Sequence, residues 1–498
     1  MQKIFTSFRL DGIKDLPGEL GAFSTESLFV RYNFSYDELM EAFQALPNAR
    51  ELPDPLKTVV HETTHLFHTI TTPFGFLIYA LRRLQASVIV DTINRLRLRY
   101  KLTVRYPLVN FVLQLPRHIL NDVGWYLSAW YECELFILMS LDSPDVWGSQ
   151  VTKNPILMGM SHSVLFSRVQ RYLAIHYFQQ ARKVRNDDAA PESSLPFASF
   201  VPDEFESESS AKDDRYMIAL QMFFSESNMI AVMESAATVS EYWWNSLLDR
   251  EQFFRQIHRR WEQQGLAMSS GFLRSGLNAQ RAEEYVLSYL ALCDLSLFGP
   301  VLPHHRHFRQ GENVLYEVLP FHRMSALIRA AGEIRPMESL QDYERYTSEL
   351  CKGLGWVSPA EITRFTATEH VPMEFDSFEL TYLISSQYRK SMPWIFQDYT
   401  FLLTENTDFQ RQFLMDFHFP VIQYSDRTVY HKNKALLESL TRFHLVRSAL
   451  RAILLRDRVS LKMPYRPKDP QEVSFLRETL VQDLESTIGL RINDLTLN

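Results

Sequence analysis

Asp54-Pro55-Leu56-Lys57-Thr58-Val59-Val60-His61-Glu62-Thr63-Thr64-His65-Leu66-Phe67-His68 is the stretch from which the chain is best read. Asp54 can serve as an N-cap and Pro55 suits the first helical position. The spacing predicts a helix from there to near Thr72, because Pro73 and Gly75 follow. On such a helix His61 and His65, four residues apart, lie one above the other on one face. Two imidazoles at that spacing can grip one metal ion, with the Glu62 carboxylate beside the ion's open position, the minimum for metal-assisted hydrolysis.

A centre with one open position needs a third protein ligand. The same helix does not supply it. His68 stands where an H-E-x-x-H-x-x-G-x-x-H pattern has its glycine, and Thr71 where it has its last histidine. His68 shares the face of His61, but about 10.5 Å of helical rise separates them. That is too far for one ion held at about 2 Å by each ligand. His68 is expected either to support the site from behind or line its cleft, or to pack as an ordinary buried histidine.

Another helix should provide the ligand. Glu234 and Glu241 lie seven apart in Met233-Glu234-Ser235-Ala236-Ala237-Thr238-Val239-Ser240-Glu241. Small residues on the same face, Ala237 and Thr238, would allow close approach. Met229, Ile230, Val232, Met233, Tyr242, Trp243 and Trp244 surround the two acids. Carboxylates in so apolar a setting need a compensating charge or hydrogen bonds, and a metal ion supplies one. The rival third ligand is Glu132 or Glu134, in Trp130-Tyr131-Glu132-Cys133-Glu134.

His61-Glu62-Thr63-Thr64-His65 together with Glu234-Ser235-Ala236-Ala237 resembles the gluzincin group of zinc metallopeptidases. The resemblance covers the two metal-site helices alone. It implies His61, His65 and Glu234 as ligands of one Zn²⁺ per chain, and Glu62 as the base in hydrolysis of a protein or peptide substrate. Glu241 would then orient a ligating histidine. The long separation of His65 from Glu234 requires a helical insertion, which residues 74 to 184 and the acidic segment after them can provide. The implied fold is mainly α (α+β), a zincin-like core with a small N-terminal sheet, large helical insertions and a C-terminal helical region.

Five regions follow along the chain. Residues 1–52 hold strands and a helix. Leu28, Val30, Tyr32 and Phe34 alternate with Phe29, Arg31 and Asn33, and Ser35 with Glu38 makes a capping box. Residues 53–184 hold the H-E-x-x-H helix and a helical core, with helices over 74–94, 119–141 and 155–184. Within it, Leu96 to Val104 alternates with basic residues and reads as an exposed strand, with a helix continuing from the previous segment as the alternative. Residues 185–214 form an acidic loop or linker, 215–352 carry the third-ligand helix and the rest of the catalytic region, and 353–498 are helical.

In 498 residues, 46% hydrophobic and 13% aromatic, only 16 are glycine, which favours long helices over tight turns. A formal charge of −7 speaks against generic nucleic-acid binding. Cys133, Cys293 and Cys351 form no C-x-x-C pair and fit a reducing compartment. No secretory signal and no transmembrane segment are read, so the expected location is cytoplasmic.

Several features stay open at this stage. Tyr242, His304, His305, His307 and His322 are candidate oxyanion donors. A peptide could add to an exposed strand edge, either an early strand or residues 96 to 104. Arg442, Arg447, Arg451, Arg458 and Lys462 make a basic stripe, read as a solvated helix face or else as a site for a protein partner, nucleic acid or an acidic membrane surface. The competing functions are a scaffold with a structural or vestigial metal site, and a zinc hydrolase of a non-peptide amide.

Overall fold

Apolar stripes at helical spacing bury themselves against one another, so the protein is mainly α with a small mixed sheet. The structure, a computed structural model, describes residues 21–24, 27–45, 49, 52–141, 168–169, 172, 229–246, 250–263, 269, 272, 282–299, 320–359, 421–430, 434–465, 467, 469–490, 492 and 494–497. The expected helix over 155–184, the acidic segment 185–214 and the histidines at 304–307 lie wholly or almost wholly outside them.

β1 (Gly21–Phe23) and β2 (Phe29–Tyr32) form an antiparallel pair with Gly21 opposite Tyr32. Helix α1 (Tyr36–Ala45) follows. Its capping box forms as read: the Ser35 backbone N–H donates to Glu38 Oε2 at 2.5 Å, and the Glu38 N–H to Ser35 Oγ at 3.2 Å.

The H-E-x-x-H helix, α2 (Asp54–Thr71), starts one residue earlier than expected, with Pro53 as its cap. Its buried threonines satisfy themselves: Thr64 Oγ1 donates to the Val60 carbonyl at 3.0 Å and Thr69 Oγ1 to the His65 carbonyl at 2.9 Å. Thr72 ends α2 and caps α3 (Pro73–Asn94) by accepting from the Gly75 N–H at 3.1 Å. A Cβ on Gly75 would lie 2.6 Å from the His68 carbonyl oxygen, so this tight corner between the helices requires glycine.

Beyond α3 come α4 (Leu108–Leu113) and α5 (Arg117–Leu141), the latter packed along α3. The expected strand from Leu96 to Val104 is not one. Arg95–Arg99 is a turn of π-helix continuing α3. Arg95 and Arg99 donate to Asp122 of α5 and Arg97 to the Ile488 carbonyl. Leu98 is 64% exposed, so the alternation came from basic residues finding partners, not from a pleat.

α6 (Met229–Ser246) lies along α2 and against α7 (Arg250–Gln263). Ala236, Ala237 and Thr238 are fully buried, so the small residues do allow close approach. α8 (Ala282–Leu297), α9 (Pro320–Ala331) and α10 (Tyr343–Leu354) pack on one another, and α8 also contacts α6.

The sheet is completed from the far end of the chain. β3 (Val421–Gln423) pairs parallel to β2, with Val30 opposite Ile422, and β4 (Val429–Tyr430) pairs antiparallel to β3. The order is β1-β2-β3-β4, leaving β1 at an edge. The C-terminal region adds α11 (Lys434–Leu455), β5 (Ser460–Leu461), α12 (Pro470–Ile488) and β6 (Thr496–Leu497), with β5 and β6 paired in parallel. Tyr465 stacks on Phe29 at 5.8 Å between centroids, which is why β2 is apolar on both faces there.

The late basic stripe is a solvated face only in part, at Arg442, Arg458 and Lys462. Arg442 donates to Asp483 of α12 and Arg451 to Glu134 of α5, while Arg447 is buried. These arginines hold α11 to its neighbours.

Candidate metal centre

α2 presents His61 and His65 on one face, and α6 lies across that face carrying Glu234. The His61 and His65 Nε2 atoms are 3.0 Å apart. Glu234 Oε1 lies 3.1 Å from His65 Nε2, and Glu234 Oε2 lies 3.4 Å from His61 Nε2. Among the described residues, this is the one group of three or more His, Cys, Asp or Glu side chains able to hold a metal ion, with donor atoms all within 4.8 Å.

That spacing can be tested against zinc. A tetrahedral ion with bonds of about 2.0–2.1 Å places its ligand atoms about 3.3 Å apart. The two imidazole nitrogens, 3.0 Å apart, lie close to that edge length, each faces a different oxygen of Glu234 at 3.1 and 3.4 Å, and one donor atom from each of the three residues lies within 4.8 Å of the others. Two nitrogens and a carboxylate are also a donor set that zinc accepts. The residues therefore fit the ion.

Support comes from one turn of α6 further on. His61 Nδ1 lies 3.1 Å from Glu241 Oε2. An N–H held there by a carboxylate turns the other ring nitrogen, Nε2, toward Glu234 and His65. Burial lowers the His61 pKa, but Glu234, Glu241 and Glu62 outweigh it and hold the imidazole well above its usual range. Glu234 goes the other way: burial raises it, and His65 with His61 pull it well below the usual carboxylate range. Three carboxylates around two histidines make a place that favours positive charge.

Glu62 is 6% exposed and lies under the edge strand. Burial raises its pKa; His65, His61 and a hydrogen bond from the Phe23 backbone oppose this, and Glu234 adds to it, leaving the carboxyl above its usual value. A Cβ on Gly21 would sit 3.2 Å from Glu62 Oε1 and 2.5 Å from Thr58 Cγ2, so β1 runs directly over this part of α2. Across the pair from Gly21 stands Tyr32, 1% exposed, whose hydroxyl finds no hydrogen-bond partner among the described residues. Burial, then the Glu62 carboxylate, push that phenol well above its usual range. In the sequence Tyr32 is one residue of an alternating strand pattern, and nothing local marks it as a neighbour of the motif helix.

The remaining candidates fall elsewhere. His68 Nε2 lies 3.1 Å from Asp294 Oδ1 in a buried pair on α8, and Tyr343 Oη donates to Asp294 Oδ2 at 2.7 Å. His68 is thus the packed histidine of the two alternatives, tying α2 to α8 and α10. Glu134 accepts from Arg82 at 2.7 Å and from Arg451, and Glu132 faces Arg168 at 3.2 Å. α5 packs along α3, so its two acids meet arginines instead of His61 and His65, and neither is a third ligand. Tyr242 follows Glu241 and is half-buried, with Lys57 Nζ 5.6 Å from its ring centre. All three cysteines are free and buried, and no described helix is long and apolar enough to cross a membrane.

Against known proteins, the chain matches no family model, no curated protein and no solved structure.

Proposed function

We propose that this protein is a zinc-dependent peptidase of gluzincin type, with His61, His65 and Glu234 as ligands of one Zn²⁺ and Glu62 as the general base. The observation that carries the reading is the convergence of one donor atom from each of those three residues within 4.8 Å, with the buried Glu62 carboxyl adjoining them. The ion would supply Lewis acidity at its open position. Glu62 takes a proton from the attacking water and passes it to the leaving amine. A base whose pKa is raised toward neutrality suits both transfers. Glu241 fixes the His61 ring. β1, at the sheet edge over Glu62, offers backbone to which an extended substrate could add.

A search for new protein N-termini produced by the active protein but not by Glu62→Gln tests this reading and identifies the substrate. Defined new termini that depend on Glu62 are expected. Identical N-termini from both forms, on protein shown to carry zinc, would leave the centre a structural one in a scaffold or direct it to a non-peptide amide.

A further inference from the structure

Tyr32 is buried beside the motif helix, and the chemistry proposed above gives it no part. Its partner across the strand pair is Gly21. The Ser24 N–H donates to the Phe29 carbonyl at 2.9 Å, and hydrogen-bonded pairs alternate along an antiparallel ladder. Gly21 and Tyr32 therefore form a non-hydrogen-bonded pair, the kind whose side chains approach most closely, with Cβ positions about 4.5–5.5 Å apart. The Cβ position of Gly21 is 3.2 Å from Glu62 Oε1. The Tyr32 side chain thus starts within about 9 Å of that carboxyl, on the same face of the sheet. Because Gly21 has no side chain, the paired position does not fill the space between them. The same alternation turns the Phe23 N–H away from β2, and that N–H donates to Glu62.

The Tyr32 ring is packed from both sides, stacked on Phe34 at 4.7 Å between centroids and 5.9 Å from Tyr424. Its hydroxyl, almost wholly buried, has no hydrogen-bond partner among the described residues. A buried phenol ordinarily finds an acceptor, and an orphaned one calls for an explanation. The carboxylate whose charge it feels most is Glu62. We propose that Tyr32 is a positioning residue for Glu62, its hydroxyl donating to the carboxylate through one bridging water. Such a water gives both buried groups a partner. Phe23 then anchors the carboxyl from the edge of β1 and Tyr32 from the face of the sheet, so the base is aimed by the sheet while the metal ligands are held by α2 and α6. This role rests on the reading of Glu62 as the general base.

Tyr32→Phe removes the hydroxyl and keeps the ring with its contacts to Phe34 and Tyr424, so a merely structural role would leave turnover unchanged. Two measurements on the full chain read the proposal. The first is the kinetics of the zinc-loaded protein on a synthetic peptide spanning a Glu62-dependent cleavage site. In Tyr32→Phe, kcat should fall by about tenfold or more, with KM within about twofold of the parent and one zinc per chain retained. The second is a high-resolution crystal structure of the zinc-loaded parent, which should show a water within about 3.2 Å of both Tyr32 Oη and a Glu62 oxygen. Unchanged kcat in Tyr32→Phe, a fall that comes with lost zinc or a matching rise in KM, or a Tyr32 hydroxyl bonded neither to Glu62 nor to a water that reaches it would overturn the assignment. Failure of the peptidase reading has a different signature, since Glu62→Gln would then yield the same N-termini as the parent. The crystal structure decides the contact between Tyr32 and Glu62 in that case too.

Discussion

Gly21→Ala puts a methyl group where β1 crosses the H-E-x-x-H helix. The new Cβ would lie 2.5 Å from Thr58 Cγ2, against an ordinary carbon–carbon contact of about 3.5–4.0 Å, so roughly 1 Å of separation must be created. β1 is three residues long and, among the described residues, hydrogen-bonded to the sheet on one side only, so it yields before the helix does. Overpacking of this kind costs about 1–3 kcal/mol. Reduced freedom of the unfolded chain returns about 0.4–1 kcal/mol. The expected net loss is at most about 2.6 kcal/mol and centres near 1.3 kcal/mol.

Thr58→Ser removes the clashing Cγ2 and keeps the hydroxyl that donates to the Asp54 carbonyl at 3.0 Å. In the double variant most of the loss should return, giving a coupling energy above about 0.5 kcal/mol in urea denaturation. The contact 3.2 Å from Glu62 Oε1 remains in both. A displacement of the base by about 1 Å can cost about 100-fold in turnover. Both Gly21→Ala proteins should therefore keep their zinc and lose activity. Additivity of the two substitutions, or a Gly21→Ala protein as stable and active as the parent, would refute the placement of β1 over Glu62.

Other consequences follow from the same geometry. Glu241→Gln should weaken zinc binding about 10–100-fold, measured by competition with a chromophoric chelator, because the His61 ring loses its carboxylate acceptor. The raised His61 pKa stabilises the metal-free fold fully below the unfolded value of about 6.5, and that contribution disappears as pH rises through the folded value. Zinc must displace the same proton, so calorimetry in buffers of different ionisation enthalpy should show proton release, with affinity rising with pH until His61 is neutral. Asp294→Ala leaves the buried His68 and Tyr343 without their shared acceptor; a loss of about 1–3 kcal/mol in chemical denaturation is expected, with zinc content unchanged.

What could be read from the sequence was local or periodic. Ser35 and Glu38 lie within one helical turn, and their reciprocal hydrogen bonds follow from that spacing. His61, Glu62 and His65 share one helix, and the small residues beside Glu234 and Glu241 indicated which distant helix could meet it. Pairings across the chain were not legible. β3 has three residues and finds β2 from almost the opposite end of the chain, too short a segment for its period to register. Arg451 read as solvated because Glu134 lies on another helix, whereas Arg442 is exposed as read and also pairs with Asp483. Arg95 to Arg99 imitated a strand for a related reason, since Asp122, the partner of both end arginines, is on α5.

The most direct test is the zinc content of the full chain and of Glu234→Ala, determined by elemental analysis after dialysis against a weak chelator. About one zinc per chain in the parent, and little or none in Glu234→Ala at the same chelator concentration, is the predicted result. A parent protein that retains no zinc, or a Glu234→Ala protein that retains as much as the parent, would contradict a centre built from His61, His65 and Glu234.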